Sequence, residues 1–213
     1  MKRRNAFKPV ALKHGFTLLE LLVVIGIIAV LASILLPVVN RAREEGRKTA
    51  CIQTMRQIYL AISMYRDDYN NHLPLWLSNL YPSYIGTNKK IYLCLSDVSK
   101  GTEGGKPNWH TDQYDETDDT ASNDTALAQG RNSQITACSY LYEFCGADCS
   151  WNPGYTWEEA KKEQMEDYAG TKIPIIRCFW HTRPPLTNDD IILNMSYDGN
   201  LTISGPEWET TTH

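Results

Sequence analysis

The sequence predicts an α+β protein in which one long N-terminal helix packs on a small antiparallel β-sheet. Three observations lead to this fold class. An apolar run extends from Phe16 to Val39, and a stripe of apolar residues at helical spacing continues to Tyr69. Near the C-terminus, the pair Asp198-Gly199 separates two short β-like segments. Such a pair between apolar segments is the strongest short-range signal of a β-hairpin.

The apolar run is long enough to cross a membrane. At ~1.5 Å per residue, a helix from Phe16 to Val39 is about 36 Å long, and the hydrocarbon core of a bilayer is about 30 Å thick. Because basic residues stay on the cytoplasmic side, we expect the leader 1–15 to be cytoplasmic and the head to be extracytoplasmic. The basic residues of the leader are Lys2, Arg3, Arg4, Lys8 and Lys13.

Glu20 is the only charged residue in this run. An ionised side chain in a membrane-length helix costs roughly 2.5–3.5 kcal/mol, so its presence indicates a partner and a function. An ordinary secretory signal ends in a small-residue cleavage site after its apolar region. Here the obvious junction, Gly15-Phe16, precedes the run, and cleavage there would remove the leader and keep the helix.

Residues 15–20 read Gly-Phe-Thr-Leu-Leu-Glu. With the basic leader and the apolar helix, they resemble the class III signal of type IV pilins and type II secretion pseudopilins. The resemblance implies that prepilin peptidase cuts after Gly15 and N-methylates Phe16. It also implies that Glu20 meets the terminal amine of a neighbouring subunit during assembly, and that Pro37 occupies the place of a helix-kinking proline.

The resemblance predicts the function of the chain. We expect a structural subunit of a type IV pilus-like or type II secretion pseudopilus filament, which starts as a single-pass inner-membrane protein and ends in a periplasmic or cell-surface filament. Its partners would be prepilin peptidase, other pilin subunits and an inner-membrane assembly platform. The alternative is a binding module, displayed on the membrane or at a filament tip, that recognises polysaccharide or another surface ligand.

Composition and motifs argue against other classes of protein. The chain carries 21 basic and 25 acidic residues, a net charge of −4. Removing the leader leaves 16 basic residues against 25 acidic ones, a net charge of −9. We therefore expect no nucleic-acid partner, because phosphate contacts need Lys and Arg. The sequence has no phosphate-binding loop, no Gly-x-Ser-x-Gly and no His-Glu-x-x-His, so we expect no enzyme. A membrane-anchored hydrolase remains the weakest interpretation.

Helix one is predicted to span about 16–70. Its membrane and assembly half is 16–39, its amphipathic half is 40–73, and the globular head is 74–213. Gly26 and Pro37 weaken the first half, and we interpret them as a built-in bend, with a helix end at Pro37 as the alternative. The amphipathic half presents a stripe predicted to pack in the core: Cys51, Met55, Ile58, Ile62, Tyr65 and Tyr69.

Two segments carry a second resemblance. Residues 51–58 read Cys-Ile-Gln-Thr-Met-Arg-Gln-Ile, and residues 92–97 read Tyr-Leu-Cys-Leu-Ser-Asp. Both are similar to patterns of pilin-like proteins from planctomycete- and lentisphaera-type bacteria. The chain departs from those patterns at Thr54, where they have Asn, and at Leu95, where they have Pro.

The head is predicted to contain one helix and several strands. A capping box starting at Thr156 and a C-cap at Gly170 predict a helix near 157–169. Pro174 favours an edge position for its strand, since proline cannot donate to a ladder. The predicted strands are 91–95, 135–144, 173–179, 191–197 and 200–204.

Residues 99–134 are rich in Gly, Asp and Asn and are predicted to form a flexible acidic loop. A solvated loop is the first interpretation. Calcium is the alternative, because carboxylate oxygens suit that ion, although the spacing is not that of an EF-hand. The resemblance gives a precedent, since major pseudopilins hold calcium near a C-terminal loop. The candidate ligands are Asp112, Asp115, Asp118 and Asp119. We expect no other cofactor.

All six cysteines lie in the predicted external part, where disulfides persist. A local bridge between Cys145 and Cys149 and a bridge between Cys94 and Cys178 are the pairings considered, and Cys138 is a further candidate. Cys51 lies on the buried stripe and could remain a free thiol. Zinc is the alternative, because Cys145-x-x-x-Cys149 and Cys178-x-x-His181 have ligand-like spacing. The oxidising location favours disulfides over a metal.

Overall fold

The computed structural model describes residues 17–101, 130–149, 152–181 and 192–205. The chain divides into two compact units, Met1–Arg43 and Glu44–His213. The second unit contains the latter half of the long helix together with the head. In chain order the elements are helix α1 (Leu18–Asp68), 3₁₀ helices at Leu77–Leu80 and Lys89–Tyr92, strand β1 (Leu141–Tyr142), helix α2 (Trp157–Asp167), and strands β2 (Pro174–Cys178), β3 (Ile192–Ser196) and β4 (Leu201–Ser204).

Helix α1 confirms the predicted long N-terminal helix. It runs unbroken from Leu18 to Asp68, with both Gly26 and Pro37 in its interior. The alternative that Pro37 ends the helix is therefore wrong. A bend at Pro37 is expected because a proline inside a helix removes one backbone hydrogen bond. That bend stays a prediction.

The second half of α1 contributes one face to the core of the head. Its buried residues are Cys51, Met55, Ile58 and Ile62 of the predicted stripe, together with Ala61. The stripe loses burial in the last turn, where Tyr65 is half-buried and Tyr69 is 50% exposed. There the tyrosine rings pack on each other instead, with Tyr65 stacked on Tyr69 at 4.3 Å between ring centroids.

The four strands form one antiparallel sheet in the order β1-β2-β3-β4. The β3–β4 hairpin confirms the Asp198-Gly199 prediction, and Gly199 has a φ of +83°. Glycine suits this turn because it reaches positive φ without a Cβ penalty. Helix plus small antiparallel sheet is the α+β, pilin-like architecture expected from the sequence.

Two predicted strands differ in the structure. The segment 91–95 begins in the 3₁₀ helix Lys89–Tyr92, because the Asn88 side chain caps that turn by accepting a hydrogen bond from the Lys90 backbone. The segment 135–144 contributes only the two residues of β1. Just before β1, the backbone N–H of Ser139 donates to the Tyr92 carbonyl at 2.8 Å, outside the sheet ladder.

The edge position predicted for Pro174 is wrong, since β2 lies between β1 and β3. Strand β1 is so short that it pairs only with Ile176 and Arg177. A register shift also separates Pro174 from Ile176 in the pairing with β3. Proline is tolerated in this central strand because β1 makes no pairing with it.

Helix α2 begins as predicted and ends earlier. Thr156 accepts from the Glu159 backbone at 3.3 Å, and the Glu159 carboxylate accepts from the Thr156 backbone at 2.8 Å. This reciprocal pair is the predicted capping box. The C-cap is Tyr168 and not Gly170. Gly170 packs beside the hairpin, where an added Cβ would lie 2.7 Å from the Asp198 carboxylate.

A charged network lies inside the head. Glu143 is fully buried and accepts a hydrogen bond from Arg177 Nη1 at 2.9 Å. Its other carboxylate oxygen forms an ion pair with Lys161 Nζ at 2.6 Å. Arg177 Nε donates to Asn194 Oδ1 at 2.9 Å, which links β2 to β3. Burial raises the pKa of Glu143, but the charges of Lys161 and Arg177 outweigh it and hold that pKa below its ordinary value. The network therefore joins α2, the residue after β1, and strands β2 and β3 around one ionised carboxylate.

Candidate functional site: the N-terminal helix and a buried cluster of donors

The first half of α1 exposes almost every large apolar side chain it carries. Leu18 is 80% exposed, Ile34 is 64% exposed and Val39 is 40% exposed. Within the described residues, α1 is the one helix that is long and apolar enough to cross a membrane. Leaving this surface in water would cost roughly 25 cal/mol per Å². The helix therefore needs lipid or other apolar helices around it.

Glu20, the charge inside this apolar surface, is held by the helix start. Its Oε2 accepts from the Thr17 backbone N–H at 2.9 Å and from Thr17 Oγ1 at 2.8 Å. The Glu20 backbone N–H donates to Thr17 Oγ1 at 3.2 Å. Thr17 and Glu20 thus form a capping box that satisfies orphan backbone groups of the first turn. The sequence motif singled out both residues but not this contact.

Two other predicted sites lie in parts of the chain that the structure does not describe. Gly15 and Phe16, the predicted processing site, lie outside the described residues, as do the four candidate calcium ligands Asp112, Asp115, Asp118 and Asp119. Processing and calcium binding remain predictions.

The six cysteines all lie in the described ranges, all are buried, and none forms a disulfide in the structure. The predicted bridges Cys94–Cys178 and Cys145–Cys149 are therefore not formed. Cys94 and Cys178 form a cluster with a third thiol and an imidazole instead of pairing with each other. The Sγ atoms of Cys51, Cys94 and Cys178 and a ring nitrogen of His181 all lie within 4.8 Å of one another.

The sequence identified this cluster only in part. Cys178-x-x-His181 was one half of the zinc alternative, and both residues belong to the cluster. Its other half, Cys145 and Cys149, does not. Cys51 and Cys94 are supplied by α1 and by the segment after the second 3₁₀ helix, far away in sequence, so spacing alone gave no signal for them.

Two further groups surround the cluster. His181 Nδ1 lies 3.1 Å from Glu44 Oε1, and Ser96 Oγ donates to the same oxygen at 2.7 Å. Arg47 Nη1 lies 3.3 Å from the other carboxylate oxygen of Glu44. Tyr140 Oη lies 3.7 Å from Cys51 Sγ. Nothing in the sequence pattern indicated Glu44 or Tyr140.

The tryptophans of the described residues do not form an exposed binding platform. Trp76 and Trp157 are each 1% exposed, and Trp180 is 5% exposed. Sugar recognition by aromatic stacking needs an accessible ring face. These three rings belong to the core of the head.

Comparison with known proteins identifies the class of the N-terminal segment. Residues 11–36 match the family described as the prokaryotic N-terminal methylation motif. This match covers the predicted cleavage junction, Glu20 and most of the exposed apolar half of α1.

Two curated proteins are similar to part of this chain. Type II secretion system core protein G of Escherichia coli is 40% identical over 62 residues, which cover 29% of this chain and 42% of that protein. Type IV wide pilus major component PilA4 of Thermus thermophilus is 40% identical over 58 residues, 27% of this chain and 44% of that protein. The chain thus spans less than half the length of these relatives. No solved structure matches the chain.

Proposed function

We propose that the chain is a structural subunit of a filament of the type IV pilus or type II secretion pseudopilus kind, polymerised through the first half of α1. The observation that carries this proposal is a single carboxylate, Glu20, at the start of a helix whose apolar side chains are exposed from Leu18 to Val39. The methylation-motif match and the two named relatives point to the same class of protein.

The mechanism of assembly follows from the cost of isolated charges in an apolar medium. Cleavage after Gly15 would leave Phe16 with a positive terminal amine close to Glu20 in sequence. A buried amine and a buried carboxylate are each expensive alone, and much less so when paired. Pairing the amine of one subunit with Glu20 of its neighbour favours a staggered stack of helices. The apolar side chains of α1 then pack on neighbouring helices in place of lipid.

Processing and orientation complete the proposal. The basic leader holds the N-terminus in the cytoplasm, prepilin peptidase cuts after Gly15 and methylates Phe16, and the head stands outside the inner membrane. An inner-membrane assembly platform would then draw subunits from the bilayer into a periplasmic or surface filament.

The test is immunogold labelling of fibres sheared from cells that express an epitope-tagged chain, in parallel with cells that lack prepilin peptidase. The proposal predicts labelled fibres in the first cells and only membrane-bound chain in the second. Fibres of the same abundance without the peptidase, or chain that stays in the membrane with its leader uncleaved in both, would contradict it. Label at fibre tips alone would favour the binding-module alternative.

A further inference from the structure

We propose that Cys51, Cys94, Cys178 and His181 form a structural zinc site that fastens the second half of α1 to the sheet of the head. The proposal does not depend on filament assembly, because all four residues lie in the second compact unit, Glu44–His213.

The number and kind of donors in the cluster suit zinc. Three thiols and one imidazole converge with all donor atoms within 4.8 Å of one another. Cys₃His is an established donor set for four-coordinate structural zinc, and soft thiolates select zinc over magnesium or calcium. Four protein donors fill the coordination sphere, so the site would be structural and not catalytic.

The measured donor separations are compatible with a bound metal ion. With Zn–S near 2.3 Å and Zn–N near 2.0–2.1 Å, the edges of a tetrahedron are about 3.5–3.8 Å long. His181 Nε2 lies 3.4 Å from Cys94 Sγ. This one separation matches an edge of a metal-centred tetrahedron, and every other donor pair lies within 4.8 Å. A disulfide would instead bring two sulfurs to about 2.05 Å.

The imidazole of His181 is held in a fixed orientation. Its side chain is 2% exposed, and its Nδ1 faces the Glu44 carboxylate at 3.1 Å. A carboxylate at this position fixes the tautomer with hydrogen on Nδ1, which leaves the lone pair of Nε2 directed at the thiols. Ser96 and Arg47 hold Glu44 in turn. A second set of hydrogen bonds of this kind accompanies most metal-binding histidines.

A metal ion would also balance the charge of the cluster. Three buried thiolates without a cation would be costly. Zn²⁺ would replace the thiol protons, which pass to solvent, and neutralise most of the resulting charge.

The site would join three distant parts of the second unit. Cys51 lies on the buried face of α1, Cys94 follows the second 3₁₀ helix, and Cys178 ends β2 with His181 in the turn beyond it. Since the unfolded chain has no preformed site, metal binding adds directly to folding stability. Coordination of the metal by these residues would cross-link and stabilise the head without a disulfide.

The experiment measures metal in the full chain, purified from membranes in detergent with a tag that contains no histidine and without chelators. Elemental mass spectrometry is expected to find about one zinc per chain. Cys94→Ala and His181→Ala are expected to lose at least nine-tenths of it, and Cys149→Ala, a buried cysteine outside the cluster, is expected to retain it. Cobalt replacing the zinc should give the thiolate charge-transfer bands and intense visible bands of a tetrahedral site.

Glu44→Gln tests the positioning residue without removing a ligand. Competition with a chromophoric zinc chelator is expected to show 10–100-fold weaker zinc binding, and Glu45→Gln, its exposed neighbour, should bind as the unsubstituted chain does. Unsubstituted protein without metal would overturn the proposal in either of two forms. In the first form, the intact mass would be lower by two hydrogens and a disulfide-linked peptide containing Cys94 or Cys178 would be found. In the second form, the protein would contain no zinc and all of its thiols would react with an alkylating reagent after denaturation.

Discussion

Thr17 and Glu20 close a ring of three hydrogen bonds at the start of α1, with the carboxylate 2.9 Å from the Thr17 backbone nitrogen and 2.8 Å from its hydroxyl. A capping box of this kind stabilises a helix start by about 0.5–2 kcal/mol. The same carboxylate is the one proposed to meet a neighbouring subunit. Cap and assembly contact are separable, because only the first needs Thr17.

Glu20→Ala is expected to abolish incorporation into sheared filaments and to leave membrane insertion intact, since it removes the charge that pairs with a neighbouring amine. Thr17→Val is the matched variant, because it weakens the cap and keeps the carboxylate. We expect it to assemble close to the unsubstituted level. Immunoblots of sheared and membrane fractions measure both. Equal loss in the two variants would mean that Glu20 acts through the cap alone.

Glu143→Gln is expected to destabilise the protein by about 3–5 kcal/mol at pH 7, because it leaves Lys161 and Arg177 buried beside a neutral group. The pKa of Glu143 is lowered in the folded protein. Its contribution is therefore fully present above the unfolded pKa of about 4.3 and is lost as pH falls through the folded pKa.

Urea unfolding of the full chain in detergent from pH 7 to pH 3 measures this effect. The gap between Glu143→Gln and the unsubstituted protein should narrow on the acid side. Glu166→Gln, an exposed position on α2, is the control and should change little at any pH. A gap that stays constant down to pH 3 would contradict an ionised Glu143.

Asp97 is buried and accepts four hydrogen bonds. Its Oδ1 receives the backbone and hydroxyl of Ser99, both at 2.7 Å, and its Oδ2 receives the Gly101 backbone at 2.6 Å and the Ser139 hydroxyl at 2.5 Å. Each buried donor left unsatisfied costs about 1–3 kcal/mol. Asp97→Ala is expected to lower stability by about 3 kcal/mol or more.

Thermal unfolding compares Asp97→Ala with Asp167→Ala, an exposed aspartate at the end of α2 that is expected to be near neutral. Similar melting temperatures for the two variants would show that the Asp97 contacts contribute nothing net.

Gly199 touches helix α1 at closer range than any side chain would allow. A Cβ at this position would lie 2.5 Å from the Tyr59 ring, and φ is +83°. Gly154 also has a positive φ, +95°, with nothing within 4 Å of an added Cβ. Both alanine variants carry the backbone cost of about 1–2 kcal/mol, and only Gly199→Ala must also displace the ring. We expect it to be less stable than Gly154→Ala by about 1–3 kcal/mol.

Chemical unfolding of the two variants gives that difference, and the Tyr59→Ala background provides the control. With the ring removed, the two glycine substitutions should cost the same. A difference that persists without Tyr59 would locate the cost of Gly199→Ala elsewhere than the ring contact.

The parts predicted well from sequence are those fixed by local chemistry. The long helix follows from apolar periodicity, the α2 start from the Thr156–Glu159 capping box and the hairpin from Asp198-Gly199. The strand predicted at 91–95 is wrong, and the one predicted at 135–144 is reduced to β1, because tertiary contacts decide the structure of both segments. Tyr92, for example, is fully buried, and its hydroxyl donates to the Leu77 carbonyl at 3.1 Å.

The candidate sites divide in the same way. Glu20 stands out in sequence because a charge in a membrane-length helix is expensive. The cluster of Cys51, Cys94, Cys178 and His181 does not, since its members come from three segments that only folding brings together. Glu44 is similar to its charged neighbours on α1 until the structure places His181 beside it.

The most direct test of the central proposal is N-terminal mass spectrometry of the chain recovered from its native membranes and from sheared surface material. The proposal predicts a chain that begins at N-methylated Phe16 in both fractions. A chain that retains Met1 and its leader in the sheared or membrane material would contradict processing by prepilin peptidase, and the assembly role of Glu20 would fall with it.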